Sequence, residues 1–344
     1  MFWGLAGPMM WDLRILGTES LGVRGLSCYV EVDGEGILID PGVALGFTRW
    51  KLHPHPVQAV AGDLIRRKII SLWAKAKYIV FTHMHGDHVP LYNANPFQLD
   101  LYALNHISKK TIIAPPYKLL NMKERIRLTK IHELYRENLI TINRTRLYIG
   151  PLRIYGPYPH GYSLSSVYIV YVETNKPFMH LSDTGLLVDR IIDVVRELKP
   201  KIIISDGPPI YRYIHDNNLV KILLDKARHI LESMLKYTDI VIIDHHINRC
   251  DKGYYWIQSI RNIYGNVMTA AEYMGNKPLL LESWRRTLYT LLPIENYWFK
   301  NHYMENINKF KPIYCKLIRQ VKLVNELIDE EKFHNILSRV IANA

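Results

Sequence analysis

The spacing of apolar and polar positions changes along this chain, and each spacing predicts a different element. Residues 12–16 and 27–32 alternate or are β-branched, with glycines between them, as strands do. Residues 36–42 form a short apolar strand that ends in the turn Asp40-Pro41-Gly42. Over 57–76 the spacing becomes helical, with Val60, Leu64, Ile69 and Leu72 near one face. A compact buried strand is predicted at 78–81 and a helix over 117–136. Strands return at 147–149, 152–155, 166–172 and 178–181. Helix 189–198 then leads to strand 201–205, and helix 219–237 to strand 240–243. Meanders first and strand–helix alternation later predict an α/β protein with sheets covered by helices. The final part reads as mostly helical. Its stripe Leu317, Val321, Val324 and Ile328 either packs on its own domain or makes a homodimer contact. With no repeat, low-complexity tract or interdomain linker, the expected division is an extension at 1–10, one domain at 11–298 and a helical C-terminal extension at 299–344.

Size removes one role for a metal. A chain of 344 residues, 48% hydrophobic, buries a sizeable core without disulfides or a structural ion. Cys28, Cys250 and Cys315 lie far apart, which excludes a Cys-x-x-Cys zinc knuckle and suits a reducing cytoplasm. No run of about 18 apolar residues predicts a membrane span. Residues 1–10 lack the basic start of a signal peptide, and Met9 or Met10 are candidate start codons. The formal charge of +12 favours anionic partners, against the plainer reading of a solvated basic surface. Between Lys109 and Arg146 ten basic residues face three acids, and Leu119, Met122, Ile126 and Leu134 predict an amphipathic helix there.

Strand 78–81 runs straight into Thr82-His83-Met84-His85-Gly86-Asp87-His88. Side chains two apart on a strand share a side, so His83 and His85 project together. The turn at Gly86 swings Asp87 and His88 towards a second point. Two ligand pairs from one segment suit two adjacent metals. The segment cannot close such a site alone. Further ligands are expected at later strand ends: His160, Asp183, and His245 or His246. His180, inside a strand, reads as a hydrogen-bonded core residue, and His106, His132, His229, His302 and His334 as surface residues. His53 and His55 form either a rigid proline-rich turn or a lid near the metals. Asp206 is a candidate partner orienting a ligand histidine.

With these residues in place, the chain resembles the metallo-β-lactamase superfamily from about Trp11 to beyond His246. Ile37-Leu38-Ile39-Asp40-Pro41-Gly42 is similar to its first motif, with Asp40 in support, and His-x-His-x-Asp-His to its signature. The resemblance implies a four-layer αβ/βα sandwich with metals at one edge of the two sheets. It implies that His83, His85 and His160 hold a first metal, that Asp87, His88 and a late histidine hold a second, and that Asp183 bridges them. His245 is the preferred late ligand; His246 is the runner-up, or a substrate contact. A closer resemblance is to an archaeal branch of predicted metal-dependent hydrolases, a description that carries no substrate. Its marks are Ile39-Asp40-Pro41-Gly42-Val43-Ala44-Leu45-Gly46, Leu52-His53-Pro54-His55-Pro56, Ser205-Asp206-Gly207-Pro208-Pro209, Asp244-His245-His246 and Thr269-Ala270-Ala271-Glu272. Asp183 stands where many antibiotic-degrading members carry cysteine, which argues against a β-lactamase. Only about sixty residues separate Asp183 from His245, too few for the inserted domain of the RNA-processing and DNA-repair branch.

The expected chemistry is metal-assisted hydrolysis by a hydroxide shared between two divalent cations, zinc by default, with iron or manganese using the same ligands. Asp87, Asp183 and His246 are the candidate catalytic residues. No Gly-x-Ser-x-Gly offers a serine nucleophile. The expected substrate is a small ester, lactone or phosphodiester. The alternatives are a nuclease acting on RNA or DNA, and a non-catalytic nucleic-acid-binding protein of the same fold.

Overall fold

The computed structural model describes residues 11–104, 110–323 and 330–342. The extension 1–10 with its candidate start codons, His106, Lys109, Val324 and Ile328 lie outside the described residues.

The first sheet runs in chain order: β1 (Trp11–Gly17), β2 (Ser27–Val32), β3 (Glu35–Ile39), β4 (Ala76–Val80), β5 (Thr111–Ala114) and β6 (Leu139–Thr141). β1 to β3 form an antiparallel meander, and β3 to β6 pair in parallel. The second sheet repeats that plan with β7 (Arg146–Ile149), β8 (Leu152–Pro159), β9 (Ser166–Val172), β10 (Phe178–His180), β11 (Ile202–Ser205), β12 (Ile240–Ile243) and β13 (Val267–Met268). There β7 to β10 are antiparallel and β10 to β13 parallel. The helices are α1 (Pro56–Lys75), α2 (Met122–Tyr135), α3 (Ile191–Leu198), α4 (Asn217–Met234), α5 (Asp251–Tyr264), α6 (Ala270–Tyr273), α7 (Arg285–Leu291), α8 (Phe299–Leu323) and α9 (Glu330–Ala342).

Strand alternation sorts the apolar residues into layers. Ile37, Ile39, Tyr78 and Val80 meet Phe178, Ile202, Ile204 and Ile242 between the sheets. Their neighbours Leu38, Ile79 and Phe81 face α1 and α8. Met179, Ile203, Val241 and Ile243 face α3, α4 and α5. The result is a four-layer αβ/βα sandwich. Strands buried on both faces explain the continuous apolar runs at β4, β11 and β12. α8 packs on α1, and Leu317 and Val321 are buried in that layer. Among the described residues no helix is long and apolar enough to cross a membrane.

One expectation changes, and one choice that the sequence left open is decided. The helix expected over 117–136 starts at Met122, because Asn121 caps it in a reciprocal capping box with Glu124. This phase buries Glu124, Leu128, Ile131 and Tyr135 and leaves Met122 and Ile126 exposed, so they are not its apolar face. The Leu52–Pro56 loop is a rigid turn and not a lid. His55 caps α1 through Val57 N, its Nε2 bonds Leu292 O at 2.9 Å, and its ring packs edge-on against Tyr289 and Phe310. The His53 ring bonds Phe47 O at 2.8 Å.

Burial pushes the His55 pKa down to about 4. The unfolded chain then binds a proton near pH 6.5 that the folded chain refuses until about pH 4. Stability is therefore full above 6.5 and falls as pH drops from 6.5 towards 4. The expected loss is about 3 kcal/mol. In His55→Asn, thermal melts across that window should show a correspondingly shallower pH slope; an unchanged slope would refute the assignment.

Candidate metal centre

The ends of β3 and β4 build the first half of the site. Asp40, with φ 45°, accepts from Thr82 N at 2.8 Å and Thr82 Oγ1 at 2.6 Å. The chain then folds back on itself: His88 N and Val89 N bond His85 O at 3.0 and 3.1 Å. Gly42 N bonds His88 O at 2.9 Å, and a Cβ on Gly42 would run into the His88–Val89 backbone. That close approach is why a glycine follows Asp40-Pro41.

The ends of β8, β10 and β12 bring His160, Asp183 and His245-His246 to the same place. Asp183 Oδ2 lies 3.2 Å from His88 Nε2, 3.3 Å from His160 Nε2 and 3.5 Å from His83 Nε2. It lies 3.7 Å from His246 Nε2 and 3.8 Å from His245 Nε2. His160 Nε2 and His85 Nδ1 are 3.2 Å apart, as are, at 3.3 Å, His88 Nε2 and His245 Nε2. His83, His85, His160 and Asp183 thus form one group able to hold a metal, and Asp87, His88 and His245 another. His246 falls outside the Asp87–His88 group and joins Asp183 and His245. Asp40 also meets His83 and His88, but its oxygens are taken by Thr82 and His88 Nδ1.

The outward ring nitrogens have partners that fix how each imidazole points. His88 Nδ1 meets Asp40 Oδ2 at 2.9 Å, His245 Nδ1 meets Glu19 Oε2 at 2.7 Å, and His246 Nδ1 meets Asp206 Oδ2 at 2.7 Å. His85 is reversed, with Nε2 outward, 3.4 Å from Ser165 Oγ and 3.5 Å from Glu124 Oε1. A carboxylate that accepts an N–H at one nitrogen leaves the other as a lone pair aimed inward. Burial, reinforced by His83 and His160, drives the His85 pKa down to about 2, so its ring is neutral. Burial pushes Asp183 up, but the surrounding imidazoles outweigh it and hold the carboxyl well below its ordinary range. His83 Nε2 and Asp183 Oδ1 are buried without a hydrogen-bond partner. A neutral ring, an ionised carboxylate and two unfilled inward atoms fit a cation.

His180 is a core residue bonded to Leu26 O at 2.8 Å, and His132, His229 and His302 are exposed. Other contributors escape sequence reading, as Ser165 and Glu124 behind His85 do. Glu19 follows β1 and holds both His245 Nδ1 and Arg249 Nε, the latter at 2.6 Å. Arg249 also bonds Asp87 Oδ2 at 2.9 Å and Tyr211 Oη at 3.1 Å. Tyr162 Oη lies 3.0 Å from His246 Nε2. Only Arg249 had a local signal: it sits three residues after His246 in one tight helical turn. His245 itself has φ 90° and ψ −110°, a conformation rare outside glycine and held here by its neighbours.

Histidines and aspartates in this order, delivered by strand ends to one edge of a four-layer αβ/βα sandwich, are the fold and the cluster that the resemblance to the metallo-β-lactamase superfamily implies. This chain belongs to the UPF0282 family. It is 32% identical over 291 residues to the UPF0282 protein of Methanosarcina mazei, covering 83% of this chain and 94% of that protein. It is 33% identical over 298 residues to a UPF0282 protein of Methanocaldococcus jannaschii, covering 79% of this chain and 94% of the other. No protein-family model matches the chain. Among solved structures, a diphosphatase from the PhnP family overlaps with a TM-score of 0.38 at 16% identity, over 69% of this chain and 87% of that one. The metallo-β-lactamase GOB-18 from Elizabethkingia meningoseptica overlaps with a TM-score of 0.31 at 11% identity, over 66% and 92% respectively. Overlaps that loose say nothing about substrate.

Proposed function

We propose that this protein is a hydrolase with two divalent metal ions, acting on a small ester, lactone or phosphodiester. The observation that carries the proposal is the convergence on Asp183 Oδ2 of five imidazole nitrogens within 3.8 Å. His83, His85 and His160 are assigned to one ion, Asp87, His88 and His245 to the other, and Asp183 to both. The imidazole-rich donor set favours zinc, and iron or manganese accept the same donors. When bound, such ions supply Lewis acidity and make a bound water acidic near neutral pH. The protein's own residues do the rest. Asp87, steadied by Arg249, orients the attacking water. His246, held from behind by Asp206, presents Nε2 beside Tyr162 Oη as a contact for substrate. The free thiols of Cys28, Cys250 and Cys315 suit work in a reducing cytoplasm.

The test is a panel of esters, lactones and phosphodiesters run on metal-quantified protein beside His85→Ala. The variant is expected to lose about one ion per chain and about a hundredfold in turnover. Metal-loaded wild type that is inert across the panel would sink the hydrolase reading. A variant with full metal content and full turnover would sink the ligand assignment.

A further inference from the structure

Beside the metal centre lies a second charge cluster that the proposed reaction does not use. Arg24, Arg49 and Arg285 converge on one buried carboxylate, Glu282. Arg24 gives it both Nε, at 2.9 Å, and Nη2. Arg285 gives it Nη2 at 2.7 Å and spends Nη1 on Gly46 O and Leu52 O. Arg49 is left over. Its Nη2 donates to Arg249 O, while its Nη1 is buried, has no hydrogen-bond partner and stays 3.7 Å from Glu282. Three guanidiniums against one carboxylate is an excess of positive charge, and its arginine side chains are 21%, 11% and 0% exposed. Unbalanced charge is costly to bury, and an anion is what would balance it.

The backbone holds Arg49 there under strain. Arg49 and Leu52 exchange both backbone hydrogen bonds at 2.9 Å, which forces Trp50 and Lys51 to φ 51° and 62°. Consecutive non-glycine residues in the left-handed region persist where the surroundings impose them, commonly at binding sites. The guanidinium lies 4.1 Å from the Trp50 ring centre and 5.8 Å from that of Tyr211. The Tyr211 ring in turn stacks on His246, with centroids 6.4 Å apart and planes at 24°. One tyrosine ring therefore separates Arg49 from the metal centre.

We infer that Arg49, with Arg24 and the walls of Trp50 and Tyr211, binds a phosphate group of the substrate that is not the group hydrolysed. The inference rests on the hydrolase reading for its word "substrate" and makes the favoured substrate a small phosphorylated molecule. A planar guanidinium with spare donors matches tetrahedral phosphate oxygens.

Two measurements test it. Inorganic phosphate is titrated calorimetrically into metal-loaded wild type, Arg49→Gln and Arg49→Lys, with metal content and melting temperature recorded for each. Arg49→Gln is expected to weaken phosphate binding roughly tenfold or more at unchanged metal content, and Arg49→Lys less. Equal affinity in all three would overturn the site; Arg49→Lys decides if the glutamine variant fails to fold. Repeating the titration with metals chelated separates this binding from phosphate held at the metals, and dependence on Arg49 should persist. The second measurement compares esters that differ only by a distant phosphate. Arg49→Gln should lower the kcat/KM ratio of phosphorylated to plain ester roughly tenfold. Arg49-dependent phosphate binding with no change in that ratio would give the site to free phosphate and overturn the inference. If no ester is turned over, the hydrolase reading fails while the titration still decides the subsite.

Discussion

Asp183→Ala is expected to cut kcat/KM by roughly a thousandfold, about 4 kcal/mol of transition-state stabilisation, and to remove the two divalent ions proposed for the site. The effect should exceed that of any single histidine. Each imidazole belongs to one side of the site, whereas the Asp183 carboxylate faces five of them. Removing it leaves Asp87 as the only inward anion of the two metal-holding groups, and that carboxylate is already shared with Arg249. Metal analysis and steady-state kinetics check the prediction, with circular dichroism confirming the fold. A variant that keeps two ions per chain would show that Asp183 is not the shared ligand.

Glu282→Gln should give the largest loss of stability. The side chain is fully buried and accepts from Arg24, Arg285 and Gln58. Glutamine preserves the shape and removes the charge, leaving three buried or half-buried guanidiniums without a counter-ion. Breaking a buried pair from one side costs about 3–5 kcal/mol, which corresponds to a fall of roughly 10 °C in Tm. The acid limb should change as well. Burial pushes the Glu282 carboxyl up, but the three arginines outweigh it and bring its pKa down to about 2 from 4.5. Its contribution is therefore complete above pH 4.5 and lost as pH falls towards 2, and the variant should lack that component. A Tm within a degree of wild type would show that the cluster's charge does not hold these segments together.

The sequence by itself determined whatever depends on neighbours in the chain. Alternating or β-branched residues marked β1 and β2, and short continuous apolar runs marked β11 and β12, because a strand's side chains choose faces locally. His83, His85, Asp87 and His88 stood out as one short polar segment, although β4 ends at Val80 and the loop beyond it, not a strand's alternation, sets where they point. His160, Asp183 and the pair His245-His246 were candidates because each lies beside the end of a strand, and strand ends at a sheet edge gather functional groups. Only the tertiary structure decided how distant polar groups pair. Glu19 and His245 are 226 residues apart, and no local pattern distinguishes a buried acid from a solvated one before the chain closes. The same holds for Glu124 behind His85 and for Arg49 at the backbone of Arg249. The phase of α2 depended on which residue capped it, and the role of His55 on the aromatic rings that α7 and α8 press against it. Burial converts these ordinary polar side chains into partners, because in a low-dielectric interior each must find an opposite charge or a hydrogen bond.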